Sequence, residues 1–223
     1  MLRKDLRSMI LSLVVGDGCL SVVKWGNGTM GKLTIDHGIK QSDYQKWKAE
    51  LLSNILDKRI KVSTGHKGKS IQIQLYHRRF KAWRKFCYPN GKKDVTKIIK
   101  YINNPWFFVA VWLMDDGYCE SSISKLADGS KRNYGARFRI FSCETPLEKQ
   151  DDLINWFQEN TETVPKVKIQ KNKKTKKSYP FLKFTQEDSL KIWKEIREFV
   201  LQFKSMRYKF RYIEQIYQKK LSK

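Results

Sequence analysis

Two apolar runs organise the chain. One extends from about Leu6 to Val15 and stops at Gly16-Asp17-Gly18; the other extends from about Trp106 to Met114 and stops at Asp115-Asp116-Gly117. Glycine after the last apolar turn is a usual helix stop, and Pro105 sits just inside the second start, where its missing N–H costs little. Both runs are apolar over most of a helix circumference, so both predict buried helices. Behind each the period changes to two. Lys32-Leu33-Thr34-Ile35-Asp36 alternates after an Asn27-Gly28 turn, and 59–63 and 70–75 alternate around a Gly65 to Gly68 turn. In the second half, 137–140 and 166–170 alternate in the same way and 181–184 follows. Helical spacing returns between the strand pairs: Tyr44, Trp47, Leu51 and Ile55; Leu147, Gln150, Ile154 and Phe157; Leu190, Trp193, Ile196 and Val200. These stripes read as core.

The order in each half is helix, two strands, helix, two strands, helix. Phe80-Lys81-Ala82-Trp83 resembles Leu190-Lys191-Ile192-Trp193, a further sign that the halves are related. The predicted class is α+β, with pseudo-symmetric halves at 1–100 and 101–223. Each sheet should be antiparallel, with an apolar face on helices and the other face carrying basic and amide side chains.

Charge changes the picture. The 223 residues hold 46 Lys/Arg against 22 Asp/Glu, a formal charge of +24, while 13% are aromatic, including seven Trp. Such aromatic content excludes a disordered basic tail. Residues 1–100 hold 22 Lys/Arg and 7 Asp/Glu, and residues 101–223 hold 24 and 15, so both halves are basic. The densest run has seven Lys between Lys166 and Lys177. A polyanion is the expected partner, nucleic acid rather than a membrane surface, since no basic amphipathic helix stands out. No stretch approaches the roughly 20 apolar residues that span a bilayer, and the start shows no signal or transit pattern. Cys19, Cys87, Cys119 and Cys143 lack C-x-x-C spacing, against a structural zinc site or a disulfide framework and in favour of a thiol-reducing compartment. His37, His66 and His77 are scattered and read as structural or surface groups, not as nucleophiles or ligands.

Each apolar helix ends in a carboxylate. Burying a lone carboxylate costs several kcal/mol unless it is paired or bound to a cation. Asp17 and Asp116 lie 99 residues apart (116 minus 17) at matching places. Were the two helices to pack together, these acids would repel unless a metal neutralised them, and a pair of Asp carboxylates suits a hard ion such as Mg2+.

The two segments resemble the paired motifs of the LAGLIDADG homing endonucleases, in the single-chain form that carries two copies. Trp112-Leu113-Met114-Asp115-Asp116-Gly117 is similar to a common variant of that motif; the first copy keeps Gly16-Asp17-Gly18, with Ser12 at the small-residue position and Val15 in place of the first acid. Lys93, 23 residues before Asp116, and Lys209, within Met206-Arg207-Tyr208-Lys209-Phe210, resemble the places where the omega-intron type carries an active-site lysine. The resemblance implies αββαββα halves, motif helices packed at the centre, and antiparallel β-saddles on double-stranded DNA. It also implies cleavage of one phosphodiester per strand with short 3′ overhangs, by a monomer using two or more divalent ions. Asp17 and Asp116 would hold the metal with the Gly16 and Asp115 carbonyls, and Lys93 and Lys209 would stabilise charge.

Sequence readout is expected from the polar strand faces: Lys32, Thr34, Asp36, Arg59, Lys61, Gln72 and Gln74, then Arg137, Arg139, Lys166, Lys168, Gln170 and Lys183. Arg and Lys suit guanine and Gln suits adenine. Two alternatives use the same fold: an intron RNA maturase, since a basic saddle also binds structured RNA, and a DNA-binding regulator without catalysis, which the presence of both acids argues against. The expected location is intracellular, an organelle if intron-encoded there and otherwise bacterial or phage-infected cytoplasm.

Overall fold

The structure is a computed structural model that describes residues 4–125, 128–129, 131–171 and 176–222. The chain divides into two compact units, Met1–Asn104 with Phe203–Ser205, and Pro105–Gln202 with Met206–Lys223.

In the first unit, α1 (Lys4–Val15) leads into β1 (Gly18–Trp25) and β2 (Gly28–Gly38), then α2 (Ser42–Leu56), β3 (Val62–Gly65), β4 (Ser70–Tyr76), α3 (Arg78–Cys87) and the short α4 (Val95–Ile99). The second unit repeats the order: α5 (Pro105–Asp116), β5 (Gly117–Lys125), β6 (Lys131–Phe141), α6 (Gln150–Thr161), β7 (Lys166–Lys171), β8 (Ser178–Lys183), α7 (Gln186–Leu201) and α8 (Arg211–Leu221). The two sheets are antiparallel, ordered β1-β2-β4-β3 and β5-β6-β8-β7. Among the described residues no helix is long and apolar enough to cross a membrane.

Alternation divides each sheet into a helix face and an open face. In β2, Leu33, Ile35 and His37 are buried while Lys32, Thr34 and Asp36 between them are half-exposed. Leu20, Ile73 and Leu75 extend this core, with α2 and α3 packed on it. In the second unit Phe138, Ile140, Leu182, Phe157 and Trp193 are buried, and Trp193 stacks on Phe210 at 5.3 Å between centroids. The helices that cross each sheet also stop alike. α2 ends at Asp57 and α6 at Glu162, both left-handed, each capping N–H bonded to the carbonyl four residues earlier.

Four expectations need correction. The first strand of each half, β1 and β5, falls where the pattern marks no strand, because Val22-Val23 and Ser121-Ser122 break the alternation. The strand expected at 59–63 begins only at Val62. The Ile60 N–H is taken by Ser53 Oγ at 3.0 Å, which ties this stretch to the end of α2; Arg59 and Lys61 therefore precede the strand rather than line its face. The α6 stripe is shifted: Leu147 is 55% exposed in a 3-10 turn before the helix, and Gln150, Leu153, Trp156 and Phe157 are the buried residues. On α2, Trp47 and Leu51 are only half-buried, and Lys48 is fully buried in their place. Of the basic run, 172–175, which includes Lys173 and Lys174, lies outside the described residues, as does the side chain of His66.

Candidate active site

α1 buries Ile10 to Val15 and delivers Asp17 to an exposed turn immediately before β1. The turn is tight. A Cβ on Gly18 would come within 2.3 Å of the Leu13 carbonyl oxygen, so only glycine lets the strand leave this close to the helix. The last carbonyls of a helix lack intrahelical donors. Here Lys93, itself buried, supplies them: its Nζ donates to the carbonyls of Val15 at 3.1 Å and Gly16 at 2.9 Å. Lys93 is held by the start of α4, where the Asp94 N–H bonds the Cys87 carbonyl at 2.8 Å and Thr96 Oγ1 donates to Asp94 Oδ1 at 2.6 Å.

The second unit repeats this arrangement in the same register. α5 buries Phe108 to Met114 and ends at Asp116. A Cβ on Gly117 would lie 2.7 Å from the Leu113 carbonyl oxygen. Lys209 Nζ donates to the carbonyls of Met114 at 2.5 Å and Asp115 at 2.9 Å. Gly18 pairs with Ile35 and Gly117 with Ile140, so both acids stand at equivalent corners of their sheets. In both halves an ammonium lies on the negative end of the helix dipole.

Beneath Asp17 lies a histidine that the sequence reading placed only among structural or surface groups. His37, buried on the helix face of β2, has Nδ1 3.2 Å from Asp17 Oδ2 and 3.1 Å from Gln41 Oε1. Its Nε2 is 2.9 Å from Nζ of the fully buried Lys48. A lysine ammonium can only donate, so Nε2 is the acceptor and Nδ1 carries the proton that faces the carboxylate. The signal available in the sequence was the odd lysine inside the α2 stripe. The equivalent position in the second unit, two residues past the strand partner of the motif glycine, is Ser142. Its Oγ donates to Gln150 Oε1 at 2.8 Å, and Gln150 Nε2 donates to the Thr145 carbonyl at 2.9 Å.

The donor chemistry at each helix end fits a hard divalent cation: a partly exposed carboxylate beside main-chain carbonyl oxygens. The Gly16 and Asp115 carbonyls already accept from a lysine, but a carbonyl oxygen has two lone pairs.

The open faces collect most of the expected DNA-reading residues. On the first sheet Lys32, Thr34 and Asp36 lie opposite Tyr76, Gln74 and Gln72 in register. Gln74 Nε2 donates to Gln72 Oε1, Tyr76 OH donates to Gln74 Oε1 at 3.4 Å, and Trp25 packs on Tyr76 at 5.0 Å. On the second sheet Arg139 pairs with Lys183, Lys183 with Lys166, and Lys168 and Gln170 continue along the edge strand. Arg137 lies opposite Glu120. Arg139 and Lys183 are not independent readers: both bind Glu120, which the sequence reading did not single out.

Comparison with known proteins follows the same lines. Residues 7–192 match the sequence profile of the LAGLIDADG DNA endonuclease family. The homing endonuclease I-WcaI bound to its DNA recognition sequence is similar with a TM-score of 0.64 at 17% identity, over 94% of this chain and 87% of that one. The I-LtrWI LAGLIDADG homing endonuclease bound to target DNA gives 0.57 at 14% identity, over 99% and 92%. I-DmoI in complex with DNA and Mn gives 0.55 at 13% identity, over 86% and 96%. At these identities the likeness establishes the fold. Protein RecA of Mycobacterium gastri is 30% identical over 145 residues, 60% of this chain, and the chain spans 31% of the length of that relative.

Proposed function

Because the chain belongs to the LAGLIDADG DNA endonuclease family, we propose that it cuts duplex DNA at a defined site, as a monomer, hydrolysing one phosphodiester per strand. The cut leaves short 3′ overhangs and uses Mg2+ or a similar divalent ion at Asp17 and Asp116. The observation that carries this reading is the repeated helix end: one carboxylate, and one lysine on the two carbonyls before it, in both halves. One polypeptide thus contributes two acidic ends, one for each strand.

A divalent ion supplies an activated water and offsets charge on the phosphoryl oxygens. Asp17, with the Gly16 carbonyl, and Asp116, with the Asp115 carbonyl, would each offer oxygen donors to such an ion. Lys93 and Lys209 bring a fixed positive charge to the reacting phosphate, where negative charge grows in the transition state. His37, donating from Nδ1, orients the Asp17 carboxylate. Lys32, Arg137, Lys166 and Lys168 neutralise phosphates and set the register of the duplex, while Thr34, Asp36, Gln72, Gln74 and Gln170 meet base edges.

The test is plasmid cleavage with Mg2+ against the intron-free version of the host locus, with binding followed separately by gel shift. Asp17→Asn and Asp116→Asn should each lower double-strand cleavage at least about 10²-fold while binding stays within about threefold, since affinity comes mainly from phosphate contacts elsewhere. Parental cleavage by either variant would overturn the assignment.

A further inference from the structure

A carboxylate stands in the middle of the basic open face of the second sheet. Glu120, on β5, accepts from Arg139 through both oxygens: Nη2 donates to Oε1, and Nε donates to Oε2 at 3.0 Å. Lys183 Nζ adds a contact to Oε2 at 2.9 Å. Arg139 is also fixed from its other sides, with Nη1 donating to Tyr118 OH at 2.9 Å and the guanidinium 4.9 Å from the Phe181 ring centroid. The hydrogen bond from Arg139, with help from Lys183, holds the Glu120 carboxyl down at about 2, against the opposing effect of burial. It is ionised throughout the neutral range.

The exposures reverse what the charge count leads one to expect. The Arg139 side chain is 16% exposed and Lys183 29%, whereas Glu120 is 33% exposed. Of the three, the anion is presented most, and Arg139 is packed away beside it. A carboxylate has about four acceptor positions; Oε2 uses two and Oε1 uses one. One lone pair on Oε1 remains, next to a lysine with donors to spare.

An anion on a surface built for a polyanion repels every phosphate it approaches. Beyond Arg139 and Lys183, which hold it, the DNA groups it can meet favourably are hydrogen-bond donors, in the major groove the amino groups of cytosine N4 and adenine N6. The lysine decides between them. Across a C·G pair, guanine offers O6 and N7 to the remaining Lys183 donors. Across an A·T pair thymine offers the lysine only O4, beside its methyl group, so the C·G pair matches the carboxylate and the lysine better. We propose that Glu120 is a specificity-determining residue: its carboxylate, held by Arg139 and Lys183, accepts a hydrogen bond from N4 of one cytosine in the target while Lys183 donates to the guanine paired with it. This rests on the reading of the chain as a site-specific DNA endonuclease.

The experiment is selection of bound duplexes from a randomised library by the full chain without divalent ion, then measurement of affinity for all four base pairs at each selected position. The parental protein should prefer C·G at one position of a half-site by about tenfold or more over T·A. Glu120→Gln, the same size without the charge, should lose that preference at this position alone, leaving all pairs there within about threefold while the other positions keep theirs. Lys183→Met should weaken the preference for the same pair. A uniform change of affinity for every sequence in Glu120→Gln, or an unchanged profile, would overturn the proposal and leave the endonuclease reading intact. If the parental protein enriches no sequence at all, the endonuclease reading itself falls, and this proposal with it.

Discussion

The two halves end their motif helices in the same way but support them with different chemistry. Under Asp17 a charged relay runs from Lys48 through His37 to the carboxylate. At the equivalent corner of the second half, Ser142, Gln150 and the Thr145 carbonyl make a neutral network. The open faces differ in the opposite sense. The first carries the neutral chain Tyr76–Gln74–Gln72, and the second carries Glu120 bound by Arg139 and Lys183. The lysine on two consecutive helix-end carbonyls is common to both. What the two motif-helix ends share is narrow: close glycine, carboxylate, fixed cation. What holds them from below is not narrow, provided every buried polar atom is satisfied. A buried lysine against a histidine and a glutamine against a serine are two different ways of pairing the buried groups there.

The sharpest way to break this comparison is to remove the shared element one half at a time. Lys93→Met and Lys209→Met should each slow cutting by about 10²-fold or more, and each should affect mainly one strand. Nicked circular plasmid should then accumulate before linear product, and the double variant should bind without cutting. Linearisation at the parental rate by both single variants, with no nicked species, would make these lysines simple helix caps.

The unshared element should give a smaller, one-sided effect. His37→Ala removes the donor to Asp17 and the Nε2 acceptor that Lys48 meets. We expect about tenfold slower cutting of the strand served by the first half and a loss of stability of about 1–3 kcal/mol. Ser142→Ala in the second half should leave strand preference unchanged. Equal slowing of both strands by His37→Ala, read with strand-specific end labels, would show that its role is only structural.

The smallest expected effect concerns what holds Lys209 in place. The 3-10 stretch Lys204–Lys209 lies between α7 and α8, and Glu214 ties the two helices together. It accepts from Arg197 Nε at 2.8 Å and Nη2 at 2.6 Å, from Trp193 Nε1 at 2.8 Å and from Gln218 Nε2 at 2.8 Å. The Arg197 hydrogen bond holds Glu214 at about 2, below its ordinary 4.5. A depressed carboxylate stabilises the fold above its unfolded pKa, and the contribution is lost as pH falls through the folded value. Stability should therefore fall between about pH 4.5 and about pH 2. Glu214→Gln should flatten that slope and cost about 1 kcal/mol at neutral pH, measured by urea melts across the pH range, with cutting changed less than twofold or so.

Much of this architecture was legible because it is periodic. The buried runs of α1 and α5, the alternation of β2, β4 and β7, and the α7 face from Leu190 to Val200 each repeat at a period set by the backbone itself. Where the pattern misled, a local hydrogen bond or a polar core residue had intervened. Ser53 drew residues 59–61 away from the sheet, and Gln150, reaching back to Ser142, moved the α6 face by part of a turn. β1 and β5 were hidden because hairpin strands beside a tight helix end need close packing and bulges more than alternation. β5 and β6 shift register between Ser122 and Ile123.

By itself the sequence determined the α+β class, the duplicated order of elements, the basic character of both halves, and the two carboxylates placed at the ends of apolar helices. These are properties of spacing and composition, and spacing is local. Tertiary structure alone decided which side chains meet. It brought Lys93 to the Gly16 carbonyl and Lys209 to the Asp115 carbonyl, 77 and 94 residues away. It also turned Lys48 inward to His37 and placed Glu120 between Arg139 and Lys183. Such pairs carry no periodic signal. A long charged side chain on a basic protein looks the same in sequence whether it faces water or answers one buried acceptor, and only the fold supplies that acceptor.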